Sequence, residues 1–262
     1  MTCGAGQVPM DVRHVELDGP GPPIPAWQVS PDVAPAAGAV VFHGYGSCKE
    51  AMLGLALTLA EAGFDCTVPE LPGHGEHPET FGPAILDEAQ AAVRHARSHG
   101  SVVAVGHSLG GRLALLSGAD VVVAVSPALP QQPSPEGIYA LRTFASPKVR
   151  QGRPGQVVEV LRGLPVHLAS GIPVLVVVGE EDIPSIRSAS EELVSSLAGA
   201  ELVNVTEGMV LEADEPPDGF GAYLKHWVNH GSTSNNRAVA MEVVAFTEKA
   251  LRRAPAEGGT SS

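Results

Sequence analysis

The chain has 262 residues, 44% hydrophobic and 17% charged, and a net charge of −13. That is enough apolar material for one large α/β domain with its own core, and it excludes global disorder. So acidic a surface repels nucleic acid, and no run of about 18 apolar residues exists to span a membrane.

In chain order, residues 12–17 and 26–30 read as two short strands around a Gly/Pro-rich turn at 19–25. Residues 39–42 form a buried strand ending in His43-Gly44-Tyr45-Gly46-Ser47. Residues 49–62 carry Met52, Leu55 and Leu59 at helical spacing, with Gly63 as the stop. A strand over 64–69 leads into the loop Leu71-Pro72-Gly73-His74-Gly75-Glu76-His77. The pattern then predicts a helix over 86–97, strands over 101–105 and 121–125, a strand over 174–178, a helix over 187–197, a strand over 200–205 and a closing helix over 238–251. Val-rich strands alternating with helices indicate a mostly parallel sheet covered on both faces.

Two stretches interrupt the alternation. Residues 128–170 are too long for a plain connection. Val157, Val160, Leu161 and Leu164 share a helical face there, and Ile138, Tyr139, Leu141 and Phe144 add apolar bulk. The stretch reads as a cap insertion in a single domain spanning 1–262, with Ile138, Tyr139 and Phe144 as expected substrate contacts. Residues 207–229 are rich in Asp, Glu, Pro and aromatics, and suit an extra flap. The tail over 255–262 reads as disordered. The first fifteen residues lack the basic start and apolar run of a signal peptide. Cys3, Cys48 and Cys66, odd in number and without CxxC spacing, read as the reduced thiols of a cytosolic protein.

The most informative run is Val102-Val103-Ala104-Val105-Gly106-His107-Ser108-Leu109-Gly110-Gly111. A β-branched strand drives into Gly-x-Ser-x-Gly and a buried helix follows, the context of a nucleophile elbow. Side chains at positions 106 and 110 would collide with the neighbouring helix or strand. Ligands of such sheets gather at the carboxyl ends of the strands. Five candidates stand there: His43-Gly44-Tyr45, Ser108, Ser126-Pro127, Asp182 and the segment leading to His230.

With His43-Gly44-Tyr45-Gly46, Leu71-Pro72-Gly73-His74-Gly75, the elbow, Gly179-Glu180-Glu181-Asp182 and a late histidine, the chain resembles an α/β-hydrolase-fold serine hydrolase over about residues 39–251. The resemblance implies Ser108 as nucleophile, Asp182 as the acid in preference to Glu181, and a histidine near the final helix as base. His230 lies beside Asn229, Gly231 and Ser232, residues suited to an exposed loop, whereas His226 sits in the apolar stretch 223–228. His230 is therefore preferred, with His226 left open. The resemblance places the oxyanion donors at the backbone N–H of Leu109 and Tyr45, and Gly44 and His107 beside the substrate.

Serine holds its proton too tightly to attack unaided, so a histidine must remove it and a carboxylate must hold that histidine's tautomer. The expectation is a hydrolase of a small-molecule carboxylic ester or thioester, using no cofactor and no metal and binding neither nucleic acid nor membrane. His74 and His77, near Glu76 and Glu79, sit in a loop with no helix to hold a metal. A thioesterase or acyltransferase of secondary metabolism, a lyase or cyclase, and a non-catalytic receptor are the alternatives on the same scaffold.

Overall fold

In the computed structural model, residues 9–129, 133–153, 155–165, 171–206, 220–235 and 237–253 are described. Eight strands make one sheet: β1 (Met10–Leu17), β2 (Ile24–Pro31), β3 (Ala37–Phe42), β4 (Phe64–Pro69), β5 (Val102–His107), β6 (Val121–Val125), β7 (Val174–Gly179) and β8 (Glu201–Val205). Their spatial order is β1-β2-β4-β3-β5-β6-β7-β8. β2 pairs antiparallel with β1 and β4, and β4, β3, β5, β6, β7 and β8 run parallel.

The central strands are apolar throughout because both faces are covered. On one face Ala104, Val122, Ala124 and Val176 pack under helices α2 (Ile85–Ala96) and α3 (Leu109–Leu116). On the other, Val103, Val105, Val123 and Val177 pack under α1 (Leu53–Glu61) and the closing helix (Arg237–Arg253). Period-two alternation thus feeds two cores from one strand.

The excursion after β6 contains a short helix α4 (Pro135–Ala140), continued by a π-turn over Leu141–Ala145, and then α5 (Gln156–Gly163). Ser134 caps α4 by accepting the Gly137 N–H. Helix α6 (Pro184–Ser196) follows β7.

A helix not expected from sequence, α7 (Phe220–Ser232), precedes the closing helix, now α8. It takes up residues 220–229 of the expected flap. Residues 207–219, the tail over 255–262 and Cys3 lie outside the described residues. Cys48 and Cys66 are free thiols. Among the described residues no helix is long and apolar enough to cross a membrane.

Candidate active site

The turn after β5 places Ser108 at φ 54°, in the left-handed region. A Cβ on Gly106 would overlap the Gly110 carbonyl, and one on Gly110 would overlap the carbonyl of Phe42. Only glycines let α3 leave the strand so steeply. The Ser108 N–H continues the sheet by donating to Val125 O at 2.9 Å, which fixes the bend.

His230 Nε2 lies 2.9 Å from Ser108 Oγ, and its Nδ1 lies 2.9 Å from Asp182 Oδ1. Asp182 Oδ1 also accepts the Ile183 N–H at 2.6 Å, and Oδ2 accepts the Ser126 hydroxyl. Burial alone would raise the Asp182 carboxyl. The facing His230 and the hydroxyl and amide donors instead hold it below the usual carboxylate range.

His230 does not sit on an exposed loop. It is 7% exposed, on the last turn of α7. There the final carbonyls lack intrahelical partners. That of His230 accepts from His107 Nε2 at 2.7 Å, and that of Asn229 accepts from the hydroxyls of Ser232 and Thr233. His107 therefore ties the elbow to the helix that carries His230. Burial, then the neighbouring His230, push His107 down to about 3, so it stays a neutral donor. His226, one turn earlier on α7, donates from Nδ1 to Glu181 O at 2.8 Å. Positions four apart on one helix face thus meet consecutive residues of the loop after β7.

The loop after β3 runs beside the elbow. Its Gly46 N–H donates to His74 Nε2 at 2.9 Å and its Ser47 N–H to Gly44 O at 3.1 Å, while His74 Nδ1 donates to Pro72 O. Among the described residues, no hydrogen bond occupies the Tyr45 N–H. The first amides of α3, Leu109 included, have no acceptor within their own helix. His77 is taken up elsewhere: its Nε2 faces Glu88 at 2.8 Å and its Nδ1 accepts the Glu79 N–H.

A cavity of about 310 Å³ opens over Ser108 and His230. Gly44, Tyr45, His107 and Leu109 line it, with Leu141, Phe144, Leu161, Ile186 and Trp227 as apolar wall. Of the three residues expected from the cap, only Phe144 lines it. Ile138 and Tyr139 do not, and Tyr139 is 52% exposed. The helical period explains the difference: Gly137, Leu141 and Phe144 recur at i, i+4 and i+7 on the cavity side, which turns 138 and 139 away. Apolar character alone marked the segment and not its face. Trp227 escaped the sequence reading because α7 itself was not foreseen.

A model of the alpha/beta hydrolase family matches residues 39–173. Comparison with curated proteins gives no match. Among solved structures, Est1E from Butyrivibrio proteoclasticus, with ferulic acid bound, has a TM-score of 0.65 at 19% identity, covering 91% of this chain and 100% of that one. An esterase of Pyrobaculum calidifontis gives 0.64 at 19% identity, with 92% and 86% covered. A malate-bound thermophilic esterase from Thermogutta terrifontis gives 0.60 at 16%, with 91% and 99% covered. At these identities the likeness is one of fold. Since the family model spans more than half of the sequence, the chain belongs to the alpha/beta hydrolase family.

Proposed function

We propose that the protein is a serine hydrolase that cleaves a small-molecule carboxylic ester or thioester through an acyl-enzyme. The observation that carries this reading is the unbroken chain Ser108 Oγ, His230, Asp182, with 2.9 Å at each histidine nitrogen, at the floor of an apolar cavity.

Ser108 attacks the carbonyl carbon as His230 Nε2 takes its proton, and Asp182 stabilises the imidazolium. The carbonyl oxygen, now an anion, is received by the N–H groups of Tyr45 and Leu109. The neighbouring amides of Gly46 and Ser47 are already spent on His74 and Gly44, which supports Tyr45 as the donor from that loop. One such donor is worth about 3 kcal/mol of barrier. His230 then protonates the leaving alkoxide or thiolate. Water, activated by the same histidine, releases the acid.

The cavity's volume is at the small end for a ligand site, and its walls are apolar, which favours an uncharged acyl or alcohol portion of modest size. The test is labelling by a fluorophosphonate, with the site of modification read by mass spectrometry, alongside hydrolysis of a p-nitrophenyl ester panel and an acyl-thioester. Modification at Ser108, absent from Ser108→Ala, is expected. Labelling that persists in that variant sinks the assignment.

A further inference from the structure

Three non-glycine residues among those described have a left-handed backbone: Ser108, Ser126 and Gln151. Two of them end adjacent strands, β5 and β6. The reason for the first is the elbow. Ser126, at φ 47°, does not line the cavity and is 0% exposed.

Glycine takes this conformation freely, whereas a serine holds it at a cost. A serine standing where glycine would be relaxed points to a use for its hydroxyl. That hydroxyl donates to Asp182 Oδ2, the carboxylate oxygen turned away from His230. The Ser126 N–H donates to Val177 O at 2.8 Å, and the preceding carbonyl, Val125 O, receives the Ser108 N–H. Ser126 is thereby pinned between the strand that carries the elbow and the strand that leads to the acid.

Resting on the triad reading above, we infer that Ser126 is a positioning residue for the reaction. It fixes the rotation of the Asp182 carboxylate so that Oδ1 stays aimed at His230 Nδ1. It touches no substrate and acts only through Asp182 and His230. Without it, Oδ2 of a carboxylate that is 1% exposed loses its donor, and only the contacts at Oδ1, from His230 and the Ile183 N–H, resist rotation about the Cβ–Cγ bond. The titratable groups facing Asp182 are His230 and, further off, His107, which burial keeps neutral.

The experiment compares wild type, Ser126→Gly and Ser126→Ala for the rate of fluorophosphonate labelling and for ester hydrolysis across pH, with thermal melting as a check on folding. Glycine relaxes the backbone and alanine removes only the oxygen, so the pair separates strain from hydroxyl. Both variants are expected to label and turn over about tenfold to a hundredfold more slowly, the rate equivalent of one hydrogen bond to a carboxylate, with KM within about twofold. The acid limb of the pH profile is expected to move to higher pH, because Asp182 loses a donor that holds its carboxyl low.

Wild-type rates in Ser126→Gly overturn the proposal, whatever Ser126→Ala does. Slower reaction with an unmoved acid limb also overturns it, by assigning the loss to packing. A wild-type protein that does not label at Ser108 overturns the triad reading and this inference together. Normal labelling in wild type and variants alike overturns this inference alone.

Discussion

Two buried histidine–carboxylate pairs near the carboxyl ends of the strands do different things. In one, His230 faces Asp182, and its other nitrogen looks onto Ser108 and the cavity. In the other, His43 Nε2 lies 3.0 Å from Glu70 Oε1 and 3.1 Å from the Leu71 N–H, and Nδ1 donates to Gly44 O. Both nitrogens of His43 are consumed by protein, and the ring is 0% exposed. Glu70 is shared further with Lys49, through its backbone N–H and its ammonium group. A histidine facing a carboxylate is the proposed proton-transfer device in one place and a brace beneath the loop after β3 in the other. What separates them is whether one nitrogen is left for a group that a small molecule can reach.

Substitutions at the two pairs should tell them apart. The largest effect is expected at the open pair. Ser108→Ala or His230→Ala should lower kcat on a p-nitrophenyl ester by about 10⁴-fold or more, and His226→Ala should leave it within about threefold. Activity that survives in His230→Ala but disappears in His226→Ala would exchange the roles of the two rings. Asp182→Asn should cost about 10⁴-fold with little change in KM, since the amide presents the wrong partner to the imidazole.

At the closed pair the loss should appear as stability instead. His43→Ala takes one partner from a buried carboxylate that Lys49 still holds and leaves the Leu71 N–H without its acceptor, and should lower the unfolding free energy by roughly 1–3 kcal/mol, read from urea midpoints. A catalytic loss as large as that of His230→Ala, with stability unchanged, would abolish the distinction.

A smaller effect is expected from His74, which burial, and then the neighbouring His43, push down to about 4. Its neutral ring accepts the Gly46 N–H, so the folded state resists the proton that the unfolded chain binds below about 6.5. Its contribution is therefore complete above that value and declines as pH falls toward 4, by about 2 kcal/mol at pH 5. Urea midpoints at pH 7 and pH 5 should show a steeper decline in wild type than in His74→Gln; equal slopes would remove His74 as a cause. The smallest effect concerns the cavity wall: Phe144→Ala should raise KM about fivefold, and Tyr139→Ala, five residues earlier in the same excursion, should stay within about twofold.

The strands and most helices were legible because each is decided by residues close in the chain. Alternating apolar runs, Gly63 as a stop and the glycines at 106 and 110 act within a few positions of one another. The elbow was legible for the same reason, since its strain is local. Helix α7 was not, because residues 223–228 read as an apolar stretch without a foreseeable partner surface, and the small polar residues at 229–232 resemble a loop. They are in fact the end of a helix, where side-chain hydroxyls and His107 supply the missing donors. Ser126 was visible as a strand-end candidate, but its partner, Asp182, lies 56 positions away.

From the amino-acid order alone came the layered α/β sheet, the sharp turn at Ser108 and the residue types that such a turn needs. Which face of the cap meets the cavity, which of two histidines reaches Ser108 and what Ser126 holds were decided only by the folded chain. Short-range sterics are written in neighbouring residues, whereas the meeting of groups more than a hundred positions apart, such as Ser108 and His230, depends on how every intervening element packs.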